Sequence, residues 1–156
     1  MGRIAATRRA VTGSVILLVA LLFLGLLQTP AHAATTLERQ MLQLTNASRA
    51  DHGVHRLRLD AGRTTKAHKH SAAMARCDCG LFHTDDPADY YLRGVRWSRW
   101  GENVGDTSSG DLTVLQDAFM HSTVHRRNIL DERFRKVGVG VVVRDGRAWV
   151  TLFFYG

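Results

Sequence analysis

From Thr35 onward the spacing of apolar and polar residues predicts most of the elements. Leu37, Met41 and Leu44 recur at helical spacing, Ala47 continues the stripe, and Thr35-Thr36-Leu37-Glu38 has the form of a capping box. Gly53 is a stop, so a helix is predicted from about Thr36 to about Asp51. Leu57 and Leu59 alternate with polar neighbours, as a short extended connector does. Asp60 is an N-cap candidate for a second helix through Arg76. Its apolar positions are small (Ala67, Ala72, Ala73, with Met74) and suit close packing against another element. Residues 77–100 read as loop, with Gly80, Pro87 and Gly94, acids at Asp85, Asp86 and Asp89, and aromatics at Tyr90, Tyr91, Trp97 and Trp100 that argue for packing down. Gly105 to Gly110 reads as a flexible turn. Asp111 then caps a third helix with Val114, Leu115, Ala118 and Phe119 on one face.

The C-terminal end is a hairpin. Val137, Val139, Val141 and Val143 alternate with Gly138, Gly140 and Val142, Asp145-Gly146 is a two-residue turn signal, and Ala148 to Tyr155 is the return strand. Both faces of that strand are apolar, so it needs cover above and below, and the three helices are the available cover. The predicted fold is α+β: a three-layer α-β-α sandwich with a small antiparallel sheet.

The first thirty-three residues do not belong to that fold. Arg3, Arg8 and Arg9 precede an almost wholly apolar run from Val11 to Leu27, Gln28-Thr29-Pro30 breaks it, and Ala31-His32-Ala33 offers a cleavage site. The run is short for a retained anchor. The expected division is a signal peptide over 1–33 and one domain over 34–156, secreted and not integral to the membrane after processing. Arg8-Arg9 leaves the twin-arginine route open beside the general one. Without the leader, eighteen Lys and Arg face fourteen Asp and Glu, a formal charge of +4. That is mildly basic and dispersed, which argues against a nucleic-acid partner and leaves attraction to anionic cell-envelope polymers or lipid headgroups open. A monomer is expected. Cys77 and Cys79 are the chain's two cysteines. In an exported chain they suggest a disulfide, and the one-residue spacing makes its ring tight and strained, which leaves a reducible or absent bond open. The other reading is a metal pair beside His68 and His70, against which the spacing counts.

Two histidines and a glutamate stand in distinctive contexts: Phe82-His83, Gly101-Glu102-Asn103 and His125-Arg126-Arg127-Asn128-Ile129-Leu130. Two imidazoles and a carboxylate match a three-ligand metal site with an open position, or an acid–base pair without metal. Each has a plainer structural reading too. Gly101-Glu102-Asn103 can be a turn, Asn128 can cap a short helix begun near Thr123, and Ser122 can cap the preceding helix end. The other histidines, His52, His55, His68 and His70, show no site spacing apart from His68-x-His70, and on a helix those two point to different faces.

These pieces, in order, resemble the CAP superfamily, or SCP domain. The resemblance runs from about Leu37 to Tyr155 and includes Leu44-x-Asn46-x-x-Arg49-x-x-x-Gly53, Leu57-x-Leu59-Asp60, His70-Ser71 with Met74, Phe82-His83-Thr84, Gly101-Glu102-Asn103-Val104, and His125-Arg126-x-Asn128-Ile129-Leu130 leading to Gly138-Val139-Gly140. It implies an α-β-α sandwich and a cleft tetrad of two His and two acids that holds zinc or another divalent cation in some members. By position His83, His125 and Glu102 match three of the four. Phe119 stands where the family has a Trp, Ser122 falls at the second acid, and Thr123-Val124 stands where bacterial relatives often have Pro-Gly. Losing one negative charge weakens any metal site. The expected function is an extracellular binding module for lipid, sterol or a cell-surface partner. The alternatives are a metal-assisted or His/Glu-dependent hydrolase (a protease or cell-wall enzyme), and a structural exported domain. No serine elbow or H-E-x-x-H motif supports the hydrolase.

Overall fold

The computed structural model describes Gly2 and residues 34–77 and 79–156, so the expected leader lies outside the described residues. Among those residues no helix is long and apolar enough to cross a membrane. Helix α1 spans Thr36–Asp51 and is closed by the expected capping box: Glu38 N–H donates to Thr35 Oγ1 and Thr35 N–H to Glu38 Oε2. Strand β1 is Arg58–Leu59 and α2 is Ala61–Cys77. A short helix α3, Pro87–Leu92, interrupts the segment read as loop. Its cap is Asp86, which accepts from Asp89 N–H, and Pro87 starts it, the position where a missing N–H costs least. Strand β2 is Trp100–Thr107, α4 is Leu112–His121 capped by Asp111, and α5 is Thr123–Leu130. Strands β3, Lys136–Arg144, and β4, Arg147–Tyr155, form the expected hairpin. Asp145 and Gly146 both have positive φ, as its two-residue turn requires.

The sheet order is β1-β3-β4-β2. β3–β4 and β4–β2 are antiparallel, while β1 runs parallel to β3, so the small sheet is mixed rather than purely antiparallel. The larger correction is β2. Its register with β4 runs from Trp100↔Tyr155 to Thr107↔Ala148, so Gly101-Glu102-Asn103 is strand and not turn. It has few apolar side chains of its own and is held by pairing along the apolar β4.

The two-residue period of the hairpin sorts the layers. Val137, Val139, Val141, Ala148, Val150, Leu152 and Phe154 pack with Met41, Leu115, Phe119 and Ile129, under α1, α4 and α5. Phe153 and Tyr155 pack on the opposite face with Ala67 of α2 and Tyr91 and Leu92 of α3. The α2 layer lies close. A Cβ on Gly140 would come within 2.1 Å of the Ala67 backbone, and one on Gly138 within 2.5 Å of the Arg63 backbone. These two glycines let the small-residue helix sit on the sheet.

Candidate functional site

Glu102 lies in the middle of β2, its side chain only 2% exposed. A buried carboxylate is costly unless its oxygens are occupied. Here Thr84 supplies both its N–H, 3.0 Å from Oε2, and its hydroxyl, 2.8 Å from Oε1, and His83 Nδ1 lies 2.9 Å from Oε2. The strand therefore clamps the segment that carries Phe82 and His83. His83 is 59% exposed in its side chain, and with Nδ1 turned to Glu102 its Nε2 is left to meet a ligand. A depression of about 380 Å³ is lined by His83, Thr84, Asp85, Pro87, Trp100 and Glu102. A neighbouring one of about 250 Å³ adds His70, Phe82 and Tyr90.

His125 belongs to the first turn of α5, and its Nδ1 is 2.9 Å from Ser122 Oγ at the N-cap. Ser122 thus sets the ring's orientation from the same helix turn. This is a positioning contact, and Ser122 makes no side-chain cap bond to the helix backbone. The ring also packs at 4.9 Å on Phe119. Asn103 and Asn128 join the two halves of the site. Asn103 Nδ2 donates to His125 O, and Asn128 Nδ2 donates to Asn103 Oδ1 and to Glu102 O. Asn128 is therefore a bridge between α5 and β2 and not a helix cap. Gly101 leaves room for it, since a Cβ there would lie 2.9 Å from Asn128 Oδ1.

Two further residues lie beside the site, and neither is among the candidate site residues read from the sequence. His70 on α2 is 8% exposed, stacks edge-on against Phe82, and bonds Thr151 Oγ1 through Nδ1. Tyr91 on α3 is fully buried and stacks on Phe153. Burial, with Glu102 nearby, pushes its hydroxyl far up, so it stays neutral. Position along α2 could not show that His70 would face the cleft, because that depends on how the helix sits on β3 and β4.

Among the described residues no three His, Cys, Asp or Glu side chains come together as a metal-holding group. In the bonding, Glu102 is occupied by Thr84 and His83, and Ser122 Oγ is engaged with the His125 ring. With Nδ1 of His83 at Glu102 and Nδ1 of His125 at Ser122, each ring has only Nε2 left to offer, short of the three protein ligands of a catalytic zinc. The residues do not fit a tightly held metal.

Burial holds His125 below the ordinary histidine value, helped by the charge of His83. Burial likewise lowers His70, against the opposing pull of Glu102. A histidine depressed in the fold binds fewer protons than in the unfolded chain at pH values between its folded pKa and about 6.5, so stability rises with pH there. The urea midpoint should be highest above pH 7 and fall as the pH drops through 6.5 towards 5. In a His70→Gln/His125→Gln variant that slope should flatten, and a slope unchanged in the variant would remove these two rings as its source.

A family model described as the cysteine-rich secretory protein family, CAP, matches residues 42–154. The uncharacterized protein YkwD of Bacillus subtilis is 30% identical over 122 residues, 74% of this chain and 46% of that protein. The crystal structure of an extracellular protein containing a SCP domain from Bacillus anthracis superposes with a TM-score of 0.63 at 31% identity, over 76% of this chain and 39% of its own. This chain therefore spans less than half the length of those two relatives. The structure of NaASP2 with Zn2+ is 12% identical, covers 80% of this chain and 82% of its own, and has a TM-score of 0.56, a likeness of fold alone.

Proposed function

The chain belongs to the CAP family of cysteine-rich secretory proteins, and from that premise we propose that it acts outside the cell as a binding module for a ligand with an apolar body and one polar end, a lipid or sterol of the envelope. The observation that carries this reading is the make-up of the cleft walls. Phe82 and Trp100 remain 38% and 37% exposed beside the Glu102–His83 pair. Exposed rings around a small polar centre suit an amphipathic ligand, with the apolar part against the rings and the polar end at an imidazole. The likeness to an extracellular SCP-domain protein supports the compartment. The His83, Glu102, His125 and Ser122 set is read as the recognition centre.

Tryptophan fluorescence of the purified protein should shift on titration with a fatty acid or a sterol, and Trp100→Ala should weaken binding by about tenfold, the scale of one lost aromatic contact. No shift up to the solubility limit, together with no lipid extractable from the native protein, would overturn the reading. Zinc is the finer question in the same cleft. With two imidazoles as its protein ligands, an ion at about ten times the protein concentration should raise the thermal midpoint by less than about 1 °C. A rise of several degrees that disappears in His83→Ala/His125→Ala would instead establish a metal centre.

A further inference from the structure

Cys77 ends α2, Cys79 follows one residue later, and the two sulfurs are joined. Both cysteines are exposed. A bridge across one intervening residue closes so little chain that it removes almost no freedom from the unfolded state. Neither cysteine joins any of the buried clusters that hold the layers together. The surroundings also accommodate the reduced pair. Cys77 Sγ lies 3.6 Å from the carbonyl oxygen of Met74 in the last turn of α2. The N–H of Cys79 is directed at Cys77 Sγ, 3.3 Å away. A thiol at Cys77 can donate to the first group, and a sulfur bearing negative charge can accept from the second. The pair stands at the root of the segment that brings Phe82 and His83 to the cleft.

We propose that Cys77–Cys79 is a redox-active disulfide that takes two electrons reversibly from external low-molecular-weight thiols, and is not a structural cross-link. A thiolate attacks Cys79 Sγ and forms a mixed disulfide there. The Cys77–Cys79 bond breaks, its electron pair goes to Cys77 Sγ beside the Cys79 N–H, and solvent supplies the proton. A second thiolate then attacks the external sulfur of the mixed disulfide, the small-molecule disulfide leaves, and Cys79 is protonated in turn. Two thiols are oxidised to one disulfide, and the protein gains two electrons and two protons.

The test is to equilibrate the purified oxidised protein with reduced and oxidised glutathione at neutral pH, alkylate the free thiols, and count them by mass. The native protein should reach the dithiol form at a modest excess of reduced glutathione, within about a hundredfold of that which reduces catalytic disulfides, and return on oxidation. Its thermal midpoint should hold within about 2 °C, as should that of Cys77→Ser/Cys79→Ser. A pair that resists a thousandfold excess of reduced glutathione until denaturant is added would overturn the proposal. So would a fall of more than about 5 °C in the double variant, since that is the mark of a structural cross-link.

Discussion

Glu102→Ala is expected to lower stability by about 2–3 kcal/mol and to abolish ligand binding in the cleft. The carboxylate is the common acceptor for Thr84 N–H, Thr84 Oγ and the His83 ring. Removing one partner from a buried hydrogen-bonded set strands the others, each at roughly 1–3 kcal/mol, partly offset by relief from burying a charge and by water that enters the gap. The loss should be local before it is global. The Thr84 amide should lose its protection against hydrogen exchange, while the amides of β3 and β4, such as those of Val139 and Leu152, keep theirs. Glu102→Gln separates charge from shape: its amide oxygen can still accept from Thr84, but its NH2 group must face one of the remaining donors. It should fall between the wild type and the alanine variant in urea midpoint. Wild-type protection at Thr84 in Glu102→Ala would mean that the segment is held by something other than this carboxylate.

The difference between what was readable in the chain and what was not follows one physical line. Elements whose burial is decided within a few residues were legible. The capping box at Thr35 and Glu38, the Asp111 cap of α4, and the valine alternation through Val143 to the Asp145-Gly146 turn each place their side chains by local geometry. Strand β2 was not legible, because Gly101, Glu102, Asn103 and Gly105 have poor strand preference and are held by β4, far along the chain at Val150 to Phe154. Helix α3 is only six residues long, too short for periodicity, and its Asp86 and Pro87 read equally well as part of a loop. In the site, His83, Glu102 and His125 were found from their contexts, and their mutual arrangement was not. Glu102 reaches His83 directly, whereas His125 is tied to Ser122 and reaches the strand through Asn103 and Asn128. The place of His70 and Tyr91 beside Glu102 is not legible, because a histidine on a helix and a tyrosine in a loop look the same whether they face a cleft or a core.

Arg49→Met is expected to cost about 3–5 kcal/mol, although methionine fills much of the same volume. Arg49 is fully buried on α1, and burial together with the nearby Arg135 holds its pKa below the ordinary arginine value. Its guanidinium is kept in place by backbone carbonyls: Nε donates to His55 O at 2.8 Å, one terminal nitrogen to Ile129 O at 2.6 Å and Asp131 O at 3.1 Å, and the other to Phe134 O at 3.3 Å. Ile129 O is among the last carbonyls of α5, which have no following helical turn to bond them. One side chain therefore satisfies the end of the helix that begins with Ser122 and His125, together with the chain entering β3. Without it, buried Ile129 O and part-buried His55 O and Asp131 O lose this donor at once, while Phe134 O keeps the His55 ring 2.9 Å away, still a larger loss than that of any single surface ion pair. Arg49→Lys should recover little, because three donors on a point charge cannot span carbonyls that a planar fork reaches in different directions. Both variants should therefore show lowered urea midpoints, with the α5 amides exchanging fastest. Since α5 also carries Asn128 into the bridge with Asn103 and Glu102, ligand binding should weaken even though Arg49 makes no contact in the cleft. Unfolding midpoints within about 1 kcal/mol of the wild type would show that water can replace the guanidinium at these carbonyls, and would detach the integrity of the His125 helix from α1.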